Sequence, residues 1–148
     1  MQVKRILYPT DFTEGSQVAC PLVADLVRRY GAKLYVVHVL YDIAKATGWY
    51  VPHVSTDELY RELQEGAMKQ LERCVIEDLR GYKDIQYEVL RGSPTEEILR
   101  YAKEQDIDLI VMGTHGRKGL DKVLFGSTAA KVVREAPCSV LVVRSKGG

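Results

Sequence analysis

No apolar run in this chain approaches the roughly 20 residues needed to span a bilayer, so no membrane-crossing helix is expected. Cysteine is scarce: Cys20, Cys74 and Cys138 lie far apart, with no CxxC or His/Cys ligand spacing. That pattern excludes a disulfide frame and the usual zinc sites, and leaves reduced thiols filling the core. Excess charge is missing too. The 21 Lys and Arg against 20 Asp and Glu leave a net charge of +1, which argues against a nucleic-acid binder driven by bulk charge. Met1-Gln-Val-Lys-Arg-Ile6 runs straight into a strand pattern and lacks the apolar core of a signal peptide. A cytoplasmic location is the expectation. No internal repeat or low-complexity linker divides the chain, and 148 residues suit one domain spanning 1–148.

Familiar chemical signatures are also absent. There is no GxxxxGK[ST] and no GxGxxG after the first strand, so neither an ordinary P-loop nor the usual dinucleotide fingerprint applies. Asp11 follows the first strand as in a phospho-acceptor domain, but that strand supplies no further acidic cluster for Mg²⁺. No Ser/His/Asp or Cys/His arrangement is evident. Of the three histidines, His38 falls in a strand and is expected in the core, His53 is unplaced, and His115 lies in a glycine-rich loop.

That loop is the most informative stretch present. Apolar Leu109-Ile-Val-Met112 leads into Gly113-Thr-His-Gly116; nine residues later come Gly126-Ser127-Thr128, and a helical pattern over Ala129 to Ala136 follows. The glycines therefore sit between a buried strand and the start of a helix. Glycine lets a ligand approach the backbone closely. A helix N-terminus presents unpaired N–H groups and about half a positive charge. Phosphate is the usual occupant of such a cradle. The connection also exceeds the usual βα length of about 2–6 residues. Arg117, Lys118 and Lys122 within it are candidates to offset phosphate charge, Lys122 equally a solvated surface residue. His115 reads as a loop residue or a phosphate hydrogen-bond donor, not a general base.

Taken in order, Val3 to Tyr8 reads as strand one, closed by Pro9-Thr10-Asp11-Phe12. Thr13 is the expected N-cap of a helix to about Tyr30, with Val18, Leu22, Leu26 and Tyr30 on one face, Pro21 kinking it and Gly31 as C-cap. Lys33 to Val39 is strand two. Leu40 to Val54 has no clean period and reads as an excursion in which Trp49 and Tyr50 cover the sheet edge, a ligand or a partner. Ser55-Thr-Asp-Glu58 and Ser93-Pro-Thr-Glu96 match capping boxes opening helices to about Arg80 and Gln105. Leu59, Leu63, Ala67, Leu71, Val75 and Leu79 form the apolar stripe of the former. Ile85 to Val89 alternates, as an edge strand does; Asp108 to Met112 and Ser139 to Arg144 supply strands four and five. This βα alternation predicts an α/β fold, an open parallel five-stranded sheet of order 3-2-1-4-5 with helices on both faces. Its chain reversal, between strands one and four, brings Pro9–Asp11 and the Gly113–Ser127 segment together.

These residues resemble the universal stress protein family, in its ATP-binding branch. Pro9-Thr10-Asp11, Val37-His38-Val39, Met112-Gly113-x-x-Gly116, the nine-residue spacing to Gly126-Ser127 and the closing Cys138–Arg144 strand carry the likeness, which covers the whole chain. Thr114 stands where the family pattern allows Ser or Ala. The resemblance implies a Rossmann-like, adenine nucleotide alpha hydrolase-like fold. It implies that Asp11 holds ribose hydroxyls beside Pro9 and Thr10, and that Val39 bonds the adenine edge through its backbone. Met112 and Gly113 would lie under ribose and adenine, and Gly116, Gly126, Ser127 and Thr128 would receive phosphates. Mg²⁺ or Mn²⁺ would be held mainly through those phosphates. The family also implies a homodimer through strand 138–144, and pairing would remove an exposed apolar edge. A regulatory ATP-binding switch, with an unidentified protein partner possible, is the expected function. A slow ATP hydrolase or phosphotransferase, and a dimeric interaction module binding another adenine nucleotide, stand as alternatives.

Overall fold

A computed structural model describes residues 2–42, 56–114 and 126–144. The elements run β1 (Arg5–Pro9), α1 (Glu14–Gln17), α2 (Cys20–Tyr30), β2 (Lys33–Tyr41), α3 (Thr56–Val75), β3 (Ile85–Gly92), α4 (Pro94–Glu104), β4 (Leu109–Gly113), α5 (Ser127–Glu135) and β5 (Ser139–Val143). Every strand pair is parallel, and the order is β3-β2-β1-β4-β5. This is the expected sheet. Among the described residues the alternating strand, β3, pairs only with β2 and so forms an edge.

Period-two alternation divides the sheet between two cores. Ile6, Tyr8, Leu34, Val36 and Val111 pack with Val23 and Val27 of α2 and Leu71 and Val75 of α3. Leu7, Tyr35, Val37, Ile110 and Met112 pack with Ile98, Tyr101 and Ala102 of α4 and Ala129 and Val132 of α5. The three central strands are apolar on both faces because both faces are covered.

Four local expectations are corrected. The first helix is not one kinked rod. α1 ends at Gln17, and Pro21 sits in the first turn of α2, where its missing N–H costs no hydrogen bond. Thr13 does cap α1, accepting from the Ser16 N–H, and Gly31 closes α2 at φ 62°. α3 stops at Val75, with turns carrying buried Leu79 onward to Gly81. Its buried stripe starts at Ala67, since Leu59 and Leu63 stay about half exposed, at 48% and 45%. Finally, Ser93 caps α4 without any side-chain hydrogen bond. Instead Glu97 is buried against Gly92 and receives Arg100 Nε at 2.6 Å. Ser55, from the other expected capping box, lies outside the described residues.

The thiols fit their expected filler role. All three are free, Cys20 fully buried and the others half-buried. Burial pushes the Cys74 thiol up to about 11 and Cys20 and Cys138 upward as well, so all three keep their protons at neutral pH. Gly66, by contrast, is a glycine without a structural reason. A Cβ added there meets nothing within 4 Å, and the residue lies inside α3. Gly66→Ala should stabilise the chain by roughly 0.5–1 kcal/mol, read as a rise of a few degrees in a thermal melt. Among the described residues, no helix is long and apolar enough to cross a membrane.

Candidate functional site

The site begins where β1 stops. β1 pairs with β2 only as far as Pro9↔Val37, while β2 continues beside β3 to Tyr41↔Gly92. On its other side β1 pairs with β4 to Leu7↔Ile110, while β4 continues beside β5 to Gly113↔Val143. Beyond Pro9 the two neighbouring strands therefore face each other across a gap. The ladder phase fixes what lines it. Lys33 N–H donates to Lys4 and Thr10 N–H to Val37, whereas Leu34 N–H donates to Asp84. Odd-numbered residues of β2 thus address β1. By that alternation Val39 turns its backbone N–H and C=O toward the side β1 has vacated.

A cavity of about 510 Å³ occupies this gap, within the range of small-molecule sites. Pro9, Thr10, Asp11, Val39, Met112, Gly113, Gly126, Ser127 and Thr128, all expected from sequence, line it. So do Ser16, Val37, His38, Pro94, Ile98, Thr114 and Ala129. Expected loop residues His115, Gly116, Arg117, Lys118 and Lys122 lie outside the described residues, as do Trp49, Tyr50 and His53.

One wall is the turn after β1. Asp11 Oδ1 accepts the Thr13 N–H at 3.0 Å and the Thr13 hydroxyl, which locks the carboxylate in an Asx-type turn. The buried Thr10 hydroxyl accepts from Phe12 N–H at 3.1 Å and shares a hydrogen bond with Ser16 Oγ at 2.9 Å. Phe12 takes φ 67°, a left-handed conformation costing an aromatic residue about 1–3 kcal/mol. His38 corrects an expectation. It is not core filling but a half-buried lining residue, its ring stacked on Phe12 at 4.3 Å. Its Nδ1 lies 2.8 Å from the Thr10 carbonyl oxygen. A carbonyl can only accept, so Nδ1 carries the proton.

The opposite wall is the start of α5. Gly126 is its N-cap, with no side-chain hydrogen bond and no acidic residue in the first turn. Gly126 through Ala129 all line the cavity, so the positive end of this helix faces it. The Gly126 N–H donates to the Thr114 carbonyl at 2.6 Å, which brings the two ends of that connection together. Gly113 is glycine for a reason absent from the sequence. A Cβ there would lie 1.8 Å from the Gly15 carbonyl oxygen, so the close approach it permits is by the backbone of α1. Among the described residues no group of three or more His, Cys, Asp or Glu side chains forms a metal cage.

Known proteins share this fold. The family model described as the universal stress protein family matches residues 2–144. A universal stress protein of Methanocaldococcus jannaschii, MJ0531, is 37% identical across 95% of this chain and 82% of its own. The solved structure of M. jannaschii MJ0577 superposes with a TM-score of 0.85 at 29% identity, covering 100% of both chains. A universal stress protein of Archaeoglobus fulgidus, solved in complex with dAMP, shares the fold at a TM-score of 0.60 and 21% identity, over 96% of this chain and 98% of that one. With the family model spanning nearly the whole sequence, this chain belongs to the universal stress protein family.

Proposed function

We propose that the chain binds ATP in this cleft and acts as a nucleotide-dependent regulatory switch. The observation that carries the proposal is the pairing of two features across one cavity. Among the described residues, the backbone edge of Val39 left by β1 and the N-terminus of α5, which has no side-chain cap, line the same cavity. A donor and an acceptor on one residue suit the edge of adenine, which also presents both. The helix end suits a polyphosphate. Between them Asp11 offers a carboxylate, an acceptor for paired ribose hydroxyls, with Pro9 and Thr10 completing that wall and Met112 and Gly113 the floor. Ser127 and Thr128 add hydroxyls at the phosphate end. Gly116, His115 and Arg117 are proposed to complete that end from the loop. Mg²⁺ or Mn²⁺ would be held mainly through the phosphates. The A. fulgidus relative with dAMP is consistent with an adenine nucleotide in this fold.

Binding is favoured over turnover. The titratable side chains among the described lining residues are Asp11 and His38, and each already has an engaged atom, Oδ1 with Thr13 and Nδ1 with Thr10. Calorimetry or thermal melting with Mg-ATP tests the proposal. A ligand at a hundred times its Kd stabilises by about 2.7 kcal/mol, which at this size raises Tm by roughly 5–10 °C. No stabilisation at millimolar Mg-ATP refutes it. We further propose a cytoplasmic homodimer joined through β5, whose outer edge has no partner strand among the described residues and whose Leu141 is exposed.

A further inference from the structure

We propose that His38 is a positioning residue, which sets the Pro9–Phe12 turn and through it the Asp11 carboxylate at the mouth of the cleft; this rests on the nucleotide reading above. β1 gives up its ladder to β2 after Pro9, and the Thr10 N–H to Val37 carbonyl bond is the last rung. The next group that would seek a ladder partner is the Thr10 carbonyl. In a continuing sheet it would accept from the β2 backbone at Val39. Here the His38 ring takes that place, donating Nδ1–H at 2.8 Å. The substitution has two effects. It satisfies a carbonyl at the point where the chain must leave the sheet, and it frees the Val39 N–H to face the cavity.

The same ring does a second job. Its face stacks on Phe12, at 4.3 Å and 28° between planes, and Phe12 is held at φ 67°. A non-glycine residue stays in that conformation only when its surroundings fix it. The ring on one side and the Phe12 N–H bond to the Thr10 hydroxyl on the other supply that constraint. Asp11 lies between the two anchored residues, Thr10 and Phe12. Its direction is therefore set by a side chain on another strand, not by its own exposed turn alone.

Two isomeric contests of donor position test this. The amide nitrogen of asparagine occupies the place of histidine Nδ1, and that of glutamine the place of Nε2. His38→Asn keeps a donor where Thr10 needs it; His38→Gln does not, and neither keeps the ring. Mg-ATP should bind His38→Gln about tenfold more weakly than His38→Asn, the scale of one lost hydrogen bond. In an Asp11→Ala background the difference should shrink, because the part of the effect that passes through Asp11 is gone. Nitrogen-15 NMR of the wild type should show the Nδ1-protonated tautomer. Equal affinities for the two variants, a difference undiminished in Asp11→Ala, or an Nε2-protonated ring would each overturn the inference. Failure of the wild type to bind Mg-ATP at all would instead remove the nucleotide reading beneath it.

Discussion

Gly113→Ala should lower the melting temperature by roughly 6–12 °C, a destabilisation of about 3 kcal/mol or more. The added Cβ would sit 1.8 Å from the Gly15 carbonyl oxygen and 3.0 Å from Ser16 Cα, and both are backbone atoms that no rotamer change can move. Either α1 lifts away from β4 or the end of β4 bends. Ser16 anchors the Thr10 hydroxyl and its carbonyl receives the Tyr8 hydroxyl at 2.8 Å, so lifting α1 strains both. The contrast with Gly66→Ala makes the test sharp. The same chemical change should raise stability at one position and lower it steeply at the other, so helix propensity or general glycine entropy cannot account for both. A Gly113→Ala protein melting within a degree of wild type would mean that α1 and β4 are not in contact as described.

Asp11→Ala should weaken Mg-ATP binding by about 10- to 100-fold, the range for hydrogen bonds to a charged acceptor. Part of any loss comes from the turn itself, because Oδ1 also holds Thr13. A ligand change separates the two. Wild-type protein should bind 2′,3′-dideoxy-ATP more weakly than ATP, by the ribose share of the Asp11→Ala loss, and Asp11→Ala should not distinguish the two nucleotides. If wild type binds both alike, the carboxylate serves the turn and not a ribose.

What sequence patterns disclosed depended on whether the signal was local. Continuous apolar runs at Ile6–Tyr8 and Leu109–Met112, against the alternation of Ile85–Val89, were enough to place strands at the centre and the edge. Asp11, Gly126 and Ser127, which line the cavity, were nominated because helix starts and strand ends have their own chemistry. His38 was misplaced because it interrupts an apolar run. Only the early departure of β1 at Pro9 turns that position from core into lining, and no neighbour in sequence announces it. Val39 contributes a backbone edge, which any residue type would supply equally, so the family resemblance pointed to it and the ladder phase gave the reason. Pro21 was read inside a helix because the apolar spacing carries on across the break between α1 and α2. Gly113 was read as room for a ligand, whereas its neighbour is Gly15, almost a hundred positions earlier in the chain.

The bond between Gly126 and Thr114 has an evolutionary corollary. Where two chain ends are bonded to each other, the closure cost varies slowly with the number of residues between them, by about 0.6 kcal/mol per doubling. Insertions or deletions between Thr114 and Gly126 should therefore leave the register of α5 unchanged.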